Sequence, residues 1–165
     1  MGQTKLGEVV ANTNGELPAV GSMAAEFVLT GSDMKDFASK QFEGNNIVLN
    51  IFPSVDTSTC ATSVREFNKR AAALNDTIVL CVSRDLPFAL RRFCGAEGID
   101  RVKLASDFRH HNFSKNYGVE LVDGGFAGLL ARAIVVIDKQ GKVKHTELVP
   151  TIGDEPNYDA ALKAI

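Results

Sequence analysis

Ile47-Val48-Leu49-Asn50-Ile51-Phe52-Pro53-Ser54-Val55-Asp56-Thr57-Ser58-Thr59-Cys60 decides the fold, because the apolar period changes within it. Residues 47–52 are a near-continuous apolar run, the pattern of a strand buried on both faces. Beyond Pro53 the period lengthens. Val64, Phe67, Ala71 and Leu74 draw one apolar stripe along a helix that starts near Cys60, with Arg65, Glu66, Lys69 and Arg70 mostly on its other face. Ser and Thr residues ahead of it supply caps. A second apolar run at residues 77–82 follows the Asn75-Asp76 turn, so strand, helix and strand form a right-handed crossover with parallel strands.

Working outward, residues 4–17 alternate weakly around Asn14-Gly15, which predicts an N-terminal hairpin turning at that pair. Residues 26–30 suit a short strand. After the second apolar run, Asp85 is read as the cap of a helix beginning near Leu86-Pro87, with Gly95 and Gly98 ending it around Cys94. A short helix at 112–117 follows. Residues 131–138 and 142–148 flank Lys139-Gln140-Gly141 as a hairpin, and Pro156 opens a last helix through Leu162. Strand-helix-strand followed by strand-strand-helix predicts an α/β protein of thioredoxin-like fold, a central mixed sheet flanked by helices with an N-terminal β-hairpin. The chain has 165 residues, 45% hydrophobic and 23% charged, which suits one domain over residues 1–165.

A net charge of −2 offers no basic surface for nucleic acid or anionic lipid. Apolar runs such as 133–137 are too short to span a bilayer, and Met-Gly-Gln-Thr-Lys-Leu lacks an apolar signal core, so a cytoplasmic protein away from membranes is expected. Its three cysteines, an odd number, argue against a disulfide framework and for reduced thiols. There is no GxGxxG, phosphate loop or paired Cys/His spacing, so neither a cofactor nor a metal is expected.

Cys60 is the candidate reactive thiol, since a helix N-terminus or a nearby cation favours the thiolate. Cys94 closes the helix that starts at the same sheet edge. A helix of roughly nine residues carries it about 13 Å from that edge, whereas a disulfide needs Cα atoms within about 7 Å. Bonding the two thiols requires the Cys94 helix or the first turn at Cys60 to unwind. Cys81, inside Ile78-Val79-Leu80-Cys81-Val82, reads as core filler. His110 and His111 would point about 100° apart on a helix, which suits a solvated turn.

Pro53-Ser54-Val55-Asp56-Thr57-Ser58-Thr59-Cys60 fits the Pro-x-x-x-Thr-x-x-Cys signature of peroxiredoxins. Asp85-Leu86-Pro87-Phe88-Ala89 with Arg92-Phe93-Cys94-Gly95-Ala96-Glu97-Gly98 resembles the resolving-cysteine segment of the bacterial thiol peroxidase branch, the atypical 2-Cys peroxiredoxins. Gly128-Leu129-Leu130-Ala131-Arg132-Ala133 and Glu155-Pro156-Asn157-Tyr158 are similar to that branch too. The resemblance implies that Cys60 is the peroxidatic thiolate and becomes a sulfenic acid. It implies that Thr57 hydrogen-bonds to peroxide and sulfur, that Pro53 walls the thiolate from water, and that Arg132 stabilises the thiolate and the charge moving between oxygens. Cys94 would then form an intramolecular disulfide with Cys60, reduced by thioredoxin. Hydrogen peroxide and organic hydroperoxides are the implied substrates, and a homodimer the implied assembly.

Two other functions compete. Cys60-Ala61-Thr62-Ser63 resembles the Cys-x-x-Ser of single-thiol glutaredoxins, although residues 123–133 lack the proline those proteins place opposite the cysteine. A redox-inert thioredoxin-like binding module is the non-enzymatic reading.

Overall fold

The computed structural model describes residues 2–165. Its strands are β1 (Gln3–Leu6), β2 (Val9–Asn12), β3 (Val28–Gly31), β4 (Asp36–Ala38), β5 (Asn46–Ile51), β6 (Thr77–Ser83), β7 (Lys103–Ser106), β8 (Ala133–Ile137) and β9 (Val143–Leu148). Its helices are α1 (Ser58–Ala71), α2 (Pro87–Glu97), α3 (Asn112–Tyr117) and α4 (Tyr158–Lys163), with a 3-10 turn at Ser39–Phe42. Seven strands form one mixed sheet in the order β4-β3-β7-β6-β5-β8-β9, and β1 and β2 form a separate hairpin. This is the thioredoxin-like α/β arrangement expected from the sequence.

The apolar run of β5 sits at the heart of that sheet. It pairs in parallel with β6, through the crossover expected from the change of period, and antiparallel with β8. Its side chains alternate between two buried clusters, as a strand covered on both faces must. Ile47, Leu49 and Ile51 join Leu29, Leu80, Val135 and the α3 residues Phe113 and Tyr117 on one face. Val48 joins Val64 and Phe67 of α1, Leu90 and Phe93 of α2, and Ala161 of α4 on the other. The stripe read from the sequence is therefore the buried side of α1: Val64 and Phe67 are fully enclosed, and Ala71 and Leu74 pack at the margin.

The N-terminal hairpin exists but turns elsewhere. β1 and β2 pair with Leu6 opposite Val9, so the turn is Gly7-Glu8, with Gly7 at φ 62°, and not Asn14-Gly15. Asn14 lies beyond the hairpin, its N–H donated to the Glu120 carbonyl at 2.8 Å and its Oδ1 accepting the Glu120 N–H. The cap of α2 also differs. Its N-cap is Leu86, because Pro87 takes the first helical position, and the Asp85 carboxylate is engaged with another segment. The same helix runs through Gly95 and stops at Gly98, whose φ of 64° lets its N–H reach back to the Cys94 carbonyl. The last helix begins at Tyr158 rather than Pro156, with the Asn157 side chain accepting the Ala160 N–H at 3.0 Å. His110 and His111 lie in a turn as expected, His110 against Asp36 at 2.7 Å. No helix among the described residues is long and apolar enough to cross a membrane.

Candidate active site

Residues 52–57 connect β5 to α1 and deliver Cys60 as the third residue of α1, completely buried. Backbone N–H groups in this first turn lack helical partners, which makes it a favourable place for negative charge. The turn rests on a polar support. Ser63 Oγ donates to the Cys60 carbonyl at 2.8 Å, and buried Asn50 Nδ2 donates to Ser63 Oγ at 3.2 Å. The serine of Cys-x-x-Ser thus serves the backbone of Cys60 and leaves its sulfur alone.

Arg132 reaches Cys60 through sheet register. Ile51 pairs with Ala133, so Arg132, one residue earlier on its chain, lies level with the loop leaving β5. Its side chain is 2% exposed. Nε donates to the Ile152 carbonyl at 2.7 Å and Nη2 to Cys60 Sγ at 3.1 Å, while Nη1 is buried without a hydrogen-bond partner among the described residues. The buried guanidinium thus sets a positive charge and a hydrogen-bond donor directly against the sulfur. Its third edge stays free to donate to another acceptor.

Pro53 is buried at the start of the loop. Thr57 holds the N-cap position of α1, but its side chain makes no cap bond: the hydroxyl donates to the Ser54 carbonyl at 2.9 Å. That hydrogen goes to Ser54, not to the Cys60 sulfur, and the Thr57 oxygen keeps its lone pairs for an incoming donor.

All three cysteines are free. Cys94 lies in the last turns of α2, half-buried against the α1 and α2 cluster, and burial pushes its thiol above the ordinary value. Cys81 is fully enclosed, and desolvation, only partly offset by the Asn50 amide, pushes its thiol up to about 12. The fold therefore separates three thiols by environment: one against a guanidinium, one in a helix end, one sealed in the sheet. The structure sets Arg132 directly against Cys60, keeps Thr57 and Pro53 in the loop and N-cap that lead into its helix, and places Cys94 on a separate helix.

Sequence reading missed the supports of the site. Ile152 contributes only a backbone carbonyl, which leaves no trace in residue identity. Arg84 bonds the Gly128 carbonyl at 2.7 Å, bracing the loop that leads to Arg132, and pairs with buried Asp107 at 3.0 Å and with Glu120 at 3.1 Å. The one available signal was an arginine directly after a buried strand. A cavity of about 340 Å³, lined by Phe27, Phe42 and Ile47, lies at the opposite end of β5 from Cys60.

The chain matches the Redoxin family over residues 19–162. It is similar to a thiol peroxidase of Mycobacterium tuberculosis, with 60% identity over 165 residues, covering 100% of this chain and 99% of the relative. A thiol peroxidase of Corynebacterium glutamicum is 54% identical over 153 residues, 93% of this chain and 92% of that protein. Among solved structures, a peroxiredoxin-like protein from Aquifex aeolicus superposes with a TM-score of 0.92 and 37% identity, over 98% of this chain and 95% of that one.

Proposed function

The chain belongs to the redoxin family and is a thiol-dependent peroxidase, taking a hydroperoxide as oxidant and a thiol as reductant, and we propose that Cys60 is the sulfur that meets the peroxide. The observation that carries this reading is the buried guanidinium of Arg132, with one edge on Cys60 Sγ at 3.1 Å and another edge unpartnered.

The Cys60 thiolate attacks one peroxide oxygen in line with the O–O bond. A sulfur–oxygen bond forms, the O–O bond breaks, and the distal oxygen leaves with the electron pair, taking a proton to become water or an alcohol. Sulfur is oxidised by two electrons and the peroxide is reduced by two. Arg132 donates to the oxygen that gains charge, Thr57 accepts the peroxide hydrogen because its own is spent on Ser54, and Pro53 keeps bulk water from the sulfur. Cys94 then attacks the sulfenic sulfur, forming an intramolecular disulfide and releasing water. A thioredoxin reduces that disulfide by two thiol exchanges. Burial pushes the half-buried Cys94 thiol above its ordinary value, which keeps it from competing with Cys60 for the peroxide and supports its assignment to the second step. Hydrogen peroxide and organic hydroperoxides are the proposed substrates.

A homodimer is proposed on resemblance, and sedimentation would measure it. The cytoplasm is proposed as the compartment, supported by an odd set of free thiols.

Single-turnover oxidation tests the scheme. With one equivalent of hydrogen peroxide, the wild-type protein should yield a Cys60–Cys94 cross-link in peptide maps and turn over with thioredoxin. Cys94→Ser should oxidise once and stop, and Cys60→Ser should not consume peroxide. Sustained turnover by Cys60→Ser, or an intermolecular Cys60–Cys60 link in place of the expected one, would overturn it.

A further inference from the structure

Asp85 stands two residues before α2, yet its carboxylate is spent on the loop of Cys60. Oδ1 accepts the Ser54 hydroxyl at 2.7 Å, and Oδ2 accepts the Val55 N–H at 3.0 Å and the Ser83 hydroxyl at 2.6 Å. Ser54 passes the constraint on: its oxygen accepts the Asp56 N–H at 3.1 Å, and its carbonyl accepts both the Thr57 N–H at 3.1 Å and the Thr57 hydroxyl at 2.9 Å. Ionised carboxylates make the stronger class of hydrogen bond, and two of these three donors belong to the loop. A continuous chain of short bonds therefore runs from Asp85 through Ser54 to the hydroxyl of Thr57.

We propose that Asp85 is a positioning residue for the peroxide step: it fixes Ser54, and through Ser54 fixes the hydroxyl of Thr57 in the orientation that receives the peroxide. This rests on the reading of Cys60 as the attacking sulfur. Without the carboxylate, the Ser54 hydroxyl and the Val55 N–H lose their acceptor, the turn at residues 53–57 loosens, and Thr57 no longer holds one direction. The contact between Arg132 and Cys60 comes from a different strand and a different loop, so it survives. The thiol keeps its general reactivity and loses its alignment with an O–O bond.

The experiment separates those two properties in a Cys94→Ser background, where only the first oxidation occurs. Stopped-flow kinetics give the rate of Cys60 oxidation by hydrogen peroxide, and iodoacetamide gives its rate of alkylation at the same pH. Asp85→Ala should lower the oxidation rate roughly 10- to 100-fold, the usual penalty for an ångström-scale misplacement, while alkylation stays within about twofold. Asp85→Asn retains one acceptor oxygen and should recover part of the loss. Ser54→Ala should reproduce Asp85→Ala, and the double variant should lose no more than the larger single. An unchanged oxidation rate in Asp85→Ala, or equal falls in oxidation and alkylation, would overturn the proposal. Should circular dichroism show Asp85→Ala unfolded, Asp85→Asn carries the same comparison with a smaller fall. A Cys94→Ser parent that is itself inert to peroxide would point to failure of the Cys60 reading instead.

Discussion

At the scale of single residues, the sulfur of Cys60 meets one charged neighbour that sequence spacing could not place. Pro53, Thr57 and Cys60 are seven residues apart at most and share a loop and a first turn, so their grouping follows from local geometry. Arg132 is 72 positions from Cys60, and only the pairing of Ile51 with Ala133 brings it there. Replacing it by methionine keeps much of the buried volume and removes the charge. Arg132→Met should lower the rate of Cys60 oxidation by hydrogen peroxide by roughly 100-fold or more, comparable to losing an oxyanion donor. It should also slow alkylation of Cys60 at pH 7, which distinguishes it from Asp85 variants. Unaltered kinetics in stopped-flow would remove Arg132 from the mechanism.

At the scale of elements, α2 should carry the pH dependence of the second half of the proposed cycle. Burial in this helix raises the Cys94 thiol, so the neutral form is favoured while the helix is wound. The sign follows by linkage: that stabilisation is complete below the ordinary thiol value of about 8.5 and is lost as pH climbs through the raised one. Above neutrality the helix unwinds more readily and the freed thiol is a better nucleophile, and both effects act in one direction. Disulfide formation after one equivalent of peroxide should therefore accelerate steadily from pH 7 to pH 9.5 in rapid-quench peptide mapping. A flat profile would mean that Cys94 is not the attacking group or that unwinding does not limit it. The helix itself was legible in its Pro87 and Gly98 punctuation, and β5, α1 and β6 in their change of period. β4 and β7 were not, because each offers only two adjacent apolar residues, Phe37-Ala38 and Leu104-Ala105, and no flanking turn signal was read there. The misplaced hairpin turn and the misassigned Asp85 share a cause: Asn-Gly and Asp-before-proline are local signals, and Asn14 and Asp85 are taken up by tertiary contacts with Glu120 and Ser54.

At the scale of the molecule, the half-buried charge of Arg84 fastens four segments. It meets Asp107 after β7, Ser114 of α3, Glu120 and the Gly128 carbonyl, and although burial works against its charge, the carboxylates of Asp107 and Glu120 prevail and keep it firmly protonated. Asp107 is fully buried. Arg84→Ala should cost about 3 kcal/mol or more in urea unfolding, since it strands that carboxylate without a partner. A loss below about 1 kcal/mol would show that the pair is replaceable by water. The fold class was readable because it depends on element order, whereas this network depends on which sheet edge each loop returns to.

The position of α2 has a consequence for the durability of the catalyst. It packs over β7, while β5 keeps β6 and β8 as partners on its two sides. Under the proposed cycle α2 or the first turn of α1 opens at each turnover, and the central strands stay paired. Amide exchange should accordingly be fast around Cys94 and slow along the central strands, and no ribbon edge is bared to neighbouring molecules however many oxidant equivalents pass through.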